Sequence, residues 1–305
     1  MRLHRSKLKG QSTVRIGNID LSQASSQYGV GERLKVTKRS GEIEEFDRAK
    51  TKIAVMRAGA SSEEAEDVID RLLPKLYDAI TTEEVYRQIR AMLDARTAAR
   101  YGLKKAILAL GPDGRNFETL IFRLFQAMGY QARVRETVQG KCVSHEIDVT
   151  MEKDDIRYMV ECKFHNSLSM KCAIQTALYT YGRFLDVDAA FDLQCPYLVT
   201  NTRFTSEVVK YADCVCIRLI GWKQPEQGGL EELIERYRLY PVTMLDLKRS
   251  DIRALLEKDM ILVKDILERR DDLIRILGRD SAQKAFQAAE ELGFGRAGTP
   301  VKVGP

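Results

Sequence analysis

The sequence contains no run of about 18 consecutive apolar residues, the length a membrane-spanning helix needs, so no membrane partner is expected. Its opening, MRLHRSKLKG, has charge but no apolar stretch of the secretory-signal kind, which makes the expected location cytoplasmic. Histidine occurs only three times, far from any zinc-ligand spacing, and the six cysteines form no CxxC pair. Neither a structural zinc nor a disulfide framework is therefore expected. No GxxxxGK followed by Ser or Thr is present, which leaves a P-loop motor without support. No internal repeat is evident. With 44% hydrophobic and 30% charged residues the composition is ordinary for a globular protein, excluding collagen-like and wholly disordered classes.

What is present is 305 residues, which at roughly 150 per domain suggests about two domains. Charge is unevenly spread. The 49 basic and 44 acidic residues give a net charge of +5. Residues 1–40 alone hold Arg2, Arg5, Lys7, Lys9, Arg15, Arg33, Lys35, Lys38 and Arg39 against Asp20 and Glu32, a surplus of +7 that leaves −2 for the rest. Such an arm can attract a polyanion without reading bases; a plain solvated tail is the alternative.

Residues 1–31, rich in Ser, Gln, Gly and basic side chains and without lasting periodicity, read as a basic flexible arm. A short strand at LKVTKRSG, a turn at Ser40-Gly41 and helical stretches around 47–59, 62–79, 82–95 and 97–110 make a mostly helical module over 32–110. Gly111-Pro112-Asp113-Gly114 sets turn formers in a row and is the best linker candidate. Beyond it Phe117, Leu120, Ile121, Leu124, Phe125 and Met128 share one face of a helix that Gly129 ends. Strands VSHEIDVTM and IRYMVECKF follow, joined by a charged turn. A helix at about 169–185, the strand CPYLVTN, a helix at 205–212 and the strand CVCIRLIG complete an alternating α/β unit over 111–229. In that last strand Cys214 and Cys216 lie two apart and read as same-face core thiols. Residues 230–305 read as a charged helical extension without a motif, suited to dimerising the protein, touching DNA or buttressing the α/β unit.

In HEIDVTM, alternation puts Glu146, Asp148 and Thr150 on one face and Ile147 and Val149 on the other; in IRYMVECKF, Arg157, Met159, Glu161 and Lys163 share a face. The hairpin register decides which of them meet. A turn centred on 153–154 sets Asp148 opposite Met159 and diagonal to Glu161, whereas a turn two residues longer sets Asp148 directly across from Glu161. In either register the two carboxylates lie about 5–8 Å apart, with Lys163 one same-face step further on. Convergent carboxylates suit a hard cation such as Mg²⁺, and a lysine beside it can position a water or stabilise charge on a phosphate. A solvated hairpin face with a Glu–Lys pair explains the same pattern, because this spacing alone is a weak motif.

The surroundings say more. FETLIFRLFQAMGYQARV, HEIDV, VECKF, QTALYTY and YLVTNTRFTSEVVKYA, in that order over about residues 115–222, resemble the PD-(D/E)xK nuclease superfamily, most closely its Mrr-like restriction endonuclease branch. The resemblance implies an α/β fold with a central mixed sheet flanked by helices. It implies that Asp148 and Glu161 are the metal ligands, Lys163 the catalytic lysine, Glu118 the helix-borne acid near the metal, and Gln175 the polar residue on the following helix that faces the site. Ile147 stands where the motif's name has proline. His145 and His165, flanking the strands, are read as structural or DNA-adjacent.

VTKRSGEIEEFDRAKTKIAVMRAG, TTEEVYRQIRAML and ARYGLKKAI resemble the ATP-cone, a nucleotide-binding regulatory domain of ribonucleotide reductases and their repressor. The chemistry is sensible: Lys38 and Arg39 precede the turn at Gly41 and Lys50 and Lys52 lie on the next helix, so four cations can converge on a triphosphate. The resemblance implies that Val36, Lys38, Arg39 and a helix lysine, Lys52 ahead of Lys50, contact ATP or dATP as a signal, without hydrolysis.

Together these resemblances imply a Mg²⁺-dependent DNA endonuclease of the restriction or defence type, controlled by an adenine nucleotide. A homodimer or larger homo-oligomer follows from the need for two sites in a simultaneous double-strand cut. The alternative is a nucleotide-responsive DNA-binding regulator on a nuclease fold, against which stands the presence of Asp148, Glu161 and Lys163 together.

Overall fold

The computed structural model describes residues 34–38 and 41–293; the basic arm, the turn residue Ser40 and the nucleotide-site candidate Arg39 lie outside the described residues. The N-terminal module begins with β1 (Lys35–Thr37) and β2 (Ile43–Glu45), an antiparallel pair. α1 (Arg48–Arg57) follows, capped by the Asp47 carboxylate on the Lys50 amide. α2 (Ser62–Leu72) opens with a Ser61–Glu64 capping box and ends in a single 3-10 turn at Leu73–Lys75. The helix expected to reach 79 stops there because Pro74 has no amide to donate to the preceding turn. The chain then enters β3 (Ile80–Thr81), which lies parallel to β1 and was not expected. Thr81 and Glu84 box the start of α3 (Thr82–Met92), and α4 (Ala95–Tyr101) and α5 (Leu103–Leu108) complete the module.

After the turn at 111–114, Gly114 in left-handed backbone (φ +82°) admits the chain to α6 (Arg115–Ala127). Its apolar stripe is the expected one: Phe117, Leu120, Ile121, Leu124 and Phe125 are all fully buried, each contributing roughly 1.5–3 kcal/mol. β4 (Gln131–Gln139), β5 (Ser144–Lys153), β6 (Ile156–Lys163), β7 (Lys171–Cys172), α7 (Ile174–Phe191), β8 (Tyr197–Thr200), β9 (Arg203–Phe204), α8 (Ser206–Val215) and β10 (Arg218–Ile220) follow. The central sheet runs β10-β8-β6-β5-β4, parallel between β6, β8 and β10 and antiparallel between β4, β5 and β6. Val149, Val160 and Val199 face α6, whereas Leu198 packs with α7 and α8 on the other side. This is the α/β architecture with helices on both faces of a mixed sheet.

Three features depart from expectation. β4 is a full nine-residue edge strand that the sequence pattern does not reveal, its burial merely alternating between exposed and half-buried. α7 starts later and ends later than 169–185. α8 continues through Val215 to a left-handed cap at Cys216, so CVC is a helix end, and Cys216 forms a disulfide with Cys195 while Cys214 is exposed. The reading of Cys214 and Cys216 as paired core thiols is thus corrected.

α9 (Leu230–Tyr237), α10 (Arg249–Leu256), α11 (Val263–Glu268), α12 (Arg270–Leu277) and α13 (Arg279–Glu291) form no separate core. Leu230, Ile234, Val263, Ile266, Leu273 and Ala285 share one apolar cluster with α6, and Ala99, Leu103, Ala106 and Ile107 of α4 and α5 enter it too. The buried Asp265 carboxylate pairs with Arg123 of α6 (2.8 Å) and accepts from the Leu262 amide (2.9 Å). The C-terminal helices therefore buttress the α/β unit.

Candidate active site

β5 and β6 are joined at Asp154 and Asp155, both in left-handed backbone (φ 54° and 61°), as a two-residue hairpin loop requires. The pairs Thr150–Met159 and Val149–Val160 follow, so Asp148 stands across from Glu161, the second of the two registers the sequence allowed. Backbone pairing gives way at that point. Asp148 Oδ2 accepts a hydrogen bond from the Cys162 amide (2.7 Å). On the other flank Arg135 adopts left-handed backbone (φ 54°) in mid-strand, between the pairs Val134–Val149 and Glu136–Ile147. Such a conformation costs a non-glycine residue on the order of 1–3 kcal/mol. The strands exchange faces here: Ile147 packs with Met159 and Val187, Val149 with α6. Strict alternation, which assigned Ile147 and Val149 to one face, fails at Asp148.

Glu118, on the first turn of α6, joins this place through Arg135, whose Nη1 lies 3.3 Å from Glu118 Oε2. The same guanidinium nitrogen donates to Thr119 Oγ1 (3.2 Å) and the Arg115 carbonyl (3.3 Å). From α7, Arg183 Nη1 donates to Glu161 Oε2 (2.8 Å) and to the Glu146 carbonyl (3.0 Å). Arg183 Nη2 bonds the Tyr179 hydroxyl, and its guanidinium lies 4.5 Å from the centre of the Tyr179 ring.

The electrostatics follow from this crowding. Burial, then the charge of Asp148, raises the Glu118 carboxyl above the usual carboxylate range in spite of Arg135. Burial also raises Asp148, opposed by the Cys162 amide and Arg183. Burial and then Asp148 push Glu161 up to about 7, against Arg183 and Lys163. Acids raised this way are under-compensated, and a divalent cation relieves such a site. Among the described residues no three His, Cys, Asp or Glu side chains converge as a metal cage. Mg²⁺ does not need one, since it is commonly held by one or two carboxylates and keeps several waters. Asp148 and Glu161 fit that requirement.

Lys163 is exposed at the end of β6, beside Thr200 of β8. Gln175 is exposed on the first turn of α7 and makes no hydrogen bond to the acids; Arg183, two turns along the same stripe, reaches Glu161 instead. His145 is tied to Asp186 (2.8 Å). His165 is buried, its backbone clamped on both sides by Asn201 (2.8 Å each), and burial lowers its imidazole pKa.

In the N-terminal module Val36 is buried on β1. Lys38 pairs with Glu42 (3.1 Å) and Glu44 (2.7 Å), and Lys50 approaches Glu44 from α1 (3.8 Å). Lys52 pairs instead with Glu66 of α2 (2.5 Å), which also takes Arg48. Residues two apart on a helix point to different sides: Lys50 shares Glu44 with Lys38, whereas Lys52 is drawn to Glu66 in a separate ion cluster.

The family described as ATP cone domain matches residues 34–101, and the restriction endonuclease family matches residues 111–224. An uncharacterized protein of Archaeoglobus fulgidus is 40% identical over 169 residues, which span 55% of this chain and 95% of that protein. The chain is a restriction endonuclease family member with an ATP cone. The crystal structure of AF1548, a protein of unknown function, superposes with a TM-score of 0.51 at 38% identity, covering 59% of this chain and 96% of the other. A looser likeness, with a TM-score of 0.33 and 10% identity over 70% of this chain and 44% of the other, is to the MspJI restriction endonuclease in complex with a 27-mer oligonucleotide.

Within the endonuclease domain, sequence reasoning missed Arg135 and Arg183. Arg135 sits on the strand that the pattern did not reveal. Arg183 had a signal in its spacing, since Gln175, Tyr179 and Arg183 follow at i, i+4 and i+8 along one helix stripe.

Proposed function

We propose that the chain is a divalent-metal-dependent DNA endonuclease whose output responds to ATP or dATP at the ATP cone. The observation that carries this reading is the register of β5 and β6, which sets Asp148 across from Glu161 with Lys163 two residues on, in a restriction endonuclease domain. A cation held by Asp148 and Glu161 would supply Lewis-acid stabilisation of the charge that builds on a phosphodiester.

The chain's own groups do the rest. The Cys162 amide fixes Asp148. Lys163, at the exposed end of β6, offers its ammonium to the attacking water and the phosphate oxygens. Glu118 adds a third acid on α6, and Gln175, exposed on the first turn of α7, is assigned to the substrate side of the site. DNA is the substrate this reading assigns. Two copies acting together would cut both strands, which favours a homodimer.

The ATP cone has a physical route to the endonuclease. Arg100 of α4 pairs with Glu235 (2.7 Å) and donates to the Tyr240 hydroxyl (3.1 Å), Lys104 of α5 lies 5.6 Å from the Trp222 ring centre, and Thr243 Oγ1 donates to the Ala106 carbonyl (2.7 Å). Nucleotide bound near Val36, Lys38, Arg39 and Lys50 would act by favouring one arrangement of α4 and α5 over another, which requires different affinities for the two.

The test is Lys163→Ala. Cleavage should be lost while DNA binding, measured by fluorescence anisotropy, stays within a few-fold of wild type. Unchanged cleavage removes the catalytic assignment, and lost cleavage without DNA binding in either protein removes DNA as the substrate.

A further inference from the structure

Each of the three acids has one oxygen bound by the protein: Asp148 Oδ2 by the Cys162 amide (2.7 Å), Glu161 Oε2 by Arg183 (2.8 Å), and Glu118 Oε2 by Arg135 (3.3 Å). Among the described residues, Asp148 Oδ1, Glu161 Oε1 and Glu118 Oε1 accept no hydrogen bond. The two arginines are themselves held. Arg183 is 12% exposed and anchored by the Glu146 carbonyl and by Tyr179, through both its hydroxyl and its ring. Arg135 is anchored by Thr119 and the Arg115 carbonyl, and its backbone is left-handed in mid-strand. A guanidinium fixed on independent partners does not need its carboxylate in order to stay where it is. It dictates the carboxylate's rotamer.

We propose that Arg183 and Arg135 are positioning residues that tie off one oxygen of Glu161 and one of Glu118, leaving Glu161 Oε1 and Asp148 Oδ1 for a divalent cation and Glu118 Oε1 for a water that such a cation keeps. The inference rests on the metal-dependent reading above and adds to it the residues that set the ligands' orientation. Outer partners of metal ligands typically account for about 10–100-fold in metal affinity. Arg183 carries the larger share, because its bond to Glu161 is the shorter and Glu161 is the ligand.

The experiment is Mn²⁺ binding to the full chain without DNA, read as loss of the free-ion signal in electron paramagnetic resonance, alongside thermal melting. Wild type should bind and Asp148→Ala should not; if wild type fails to bind, the metal-dependent reading itself falls. Given wild-type binding, Arg183→Met should weaken Mn²⁺ by at least about tenfold and Arg135→Met by about threefold or more. Arg183→Lys, which keeps the charge and loses the fork, should recover part of the loss. Wild-type affinity in Arg183→Met, even with a lowered melting temperature, overturns the proposal and leaves Arg183 a fold residue. Should Arg183→Met not fold, Arg183→Lys decides alone: affinity weakened a few-fold supports the clamp, and unchanged affinity overturns it.

Discussion

Glu161→Gln should remove roughly 2–3 kcal/mol of the stability that the metal-free protein loses between pH 5 and pH 8. Glu161 titrates at about 7 in the folded chain against an ordinary 4.5, because it is buried and faces Asp148. Between those values the folded chain holds a proton that the unfolded chain has released. The contribution to stability is therefore complete below about pH 4.5 and is lost as pH rises toward 7. A pKa difference of about 2.5 corresponds to roughly 3 kcal/mol. The side chain is only 12% exposed, so solvent screening removes little of this. Urea unfolding at pH 5 and pH 8 in EDTA would measure it. Wild type should lose roughly 2–3 kcal/mol more than the glutamine variant between the two pH values, groups elsewhere cancelling in the subtraction. Adding Mg²⁺ at pH 8 should restore wild type and leave the variant unmoved. Parallel pH profiles for the two proteins, agreeing within about 1 kcal/mol, would refute the crowding of negative charge on which the site is argued.

Lys38→Ala should weaken ATP binding by calorimetry by more than about tenfold and Lys50→Ala by several-fold, whereas Lys52→Ala should have the smaller effect, because Lys52 is committed to Glu66. A loss confined to Lys52→Ala would reverse that order. Cys195→Ser, opening a link between residues 21 apart, should cost roughly 3 kcal/mol under non-reducing conditions and nothing extra in dithiothreitol; equal melting in both conditions would show the bond to be unformed. Arg123→Met should destabilise by roughly 3 kcal/mol or more in urea unfolding, since it strands Asp265, which is 1% exposed. A loss under about 1 kcal/mol would mean that the Leu262 amide alone satisfies that carboxylate.

Much of the endonuclease domain was legible. Phe117 to Phe125 repeat at helical spacing, and the strands of β5 and β6 alternate around Asp148 and Glu161, so the helix and hairpin that carry the acids follow from period alone. β4 escaped because its apolar positions, Ala132, Val134 and Val138, are few and small and are interrupted by Arg133, Arg135, Glu136 and Gln139. Arg135 was hidden with it. The exchange of faces at Asp148 was invisible for a related reason: it lies opposite one left-handed residue on the neighbouring strand, which alternation within β5 cannot report. Cys195 and Cys216 come together because β8 and β10 run side by side and α8 closes above them, a tertiary arrangement with no local signature. For the ATP cone, the strand and helix were legible, but the division of Lys50 from Lys52 depends on which acids the neighbouring elements present: Glu44 on β2 and Glu66 on α2.

The most direct measurement is cleavage of supercoiled plasmid, methylated and unmethylated, by wild type and Asp148→Ala, with Mg²⁺ or EDTA and with or without ATP and dATP. The account predicts nicking or linearisation by wild type in Mg²⁺, none in EDTA, none by Asp148→Ala, and a rate that changes when nucleotide is added. Intact plasmid under every condition, with tight DNA binding by wild type, would contradict it and mark the chain as a DNA-binding regulator on a nuclease fold.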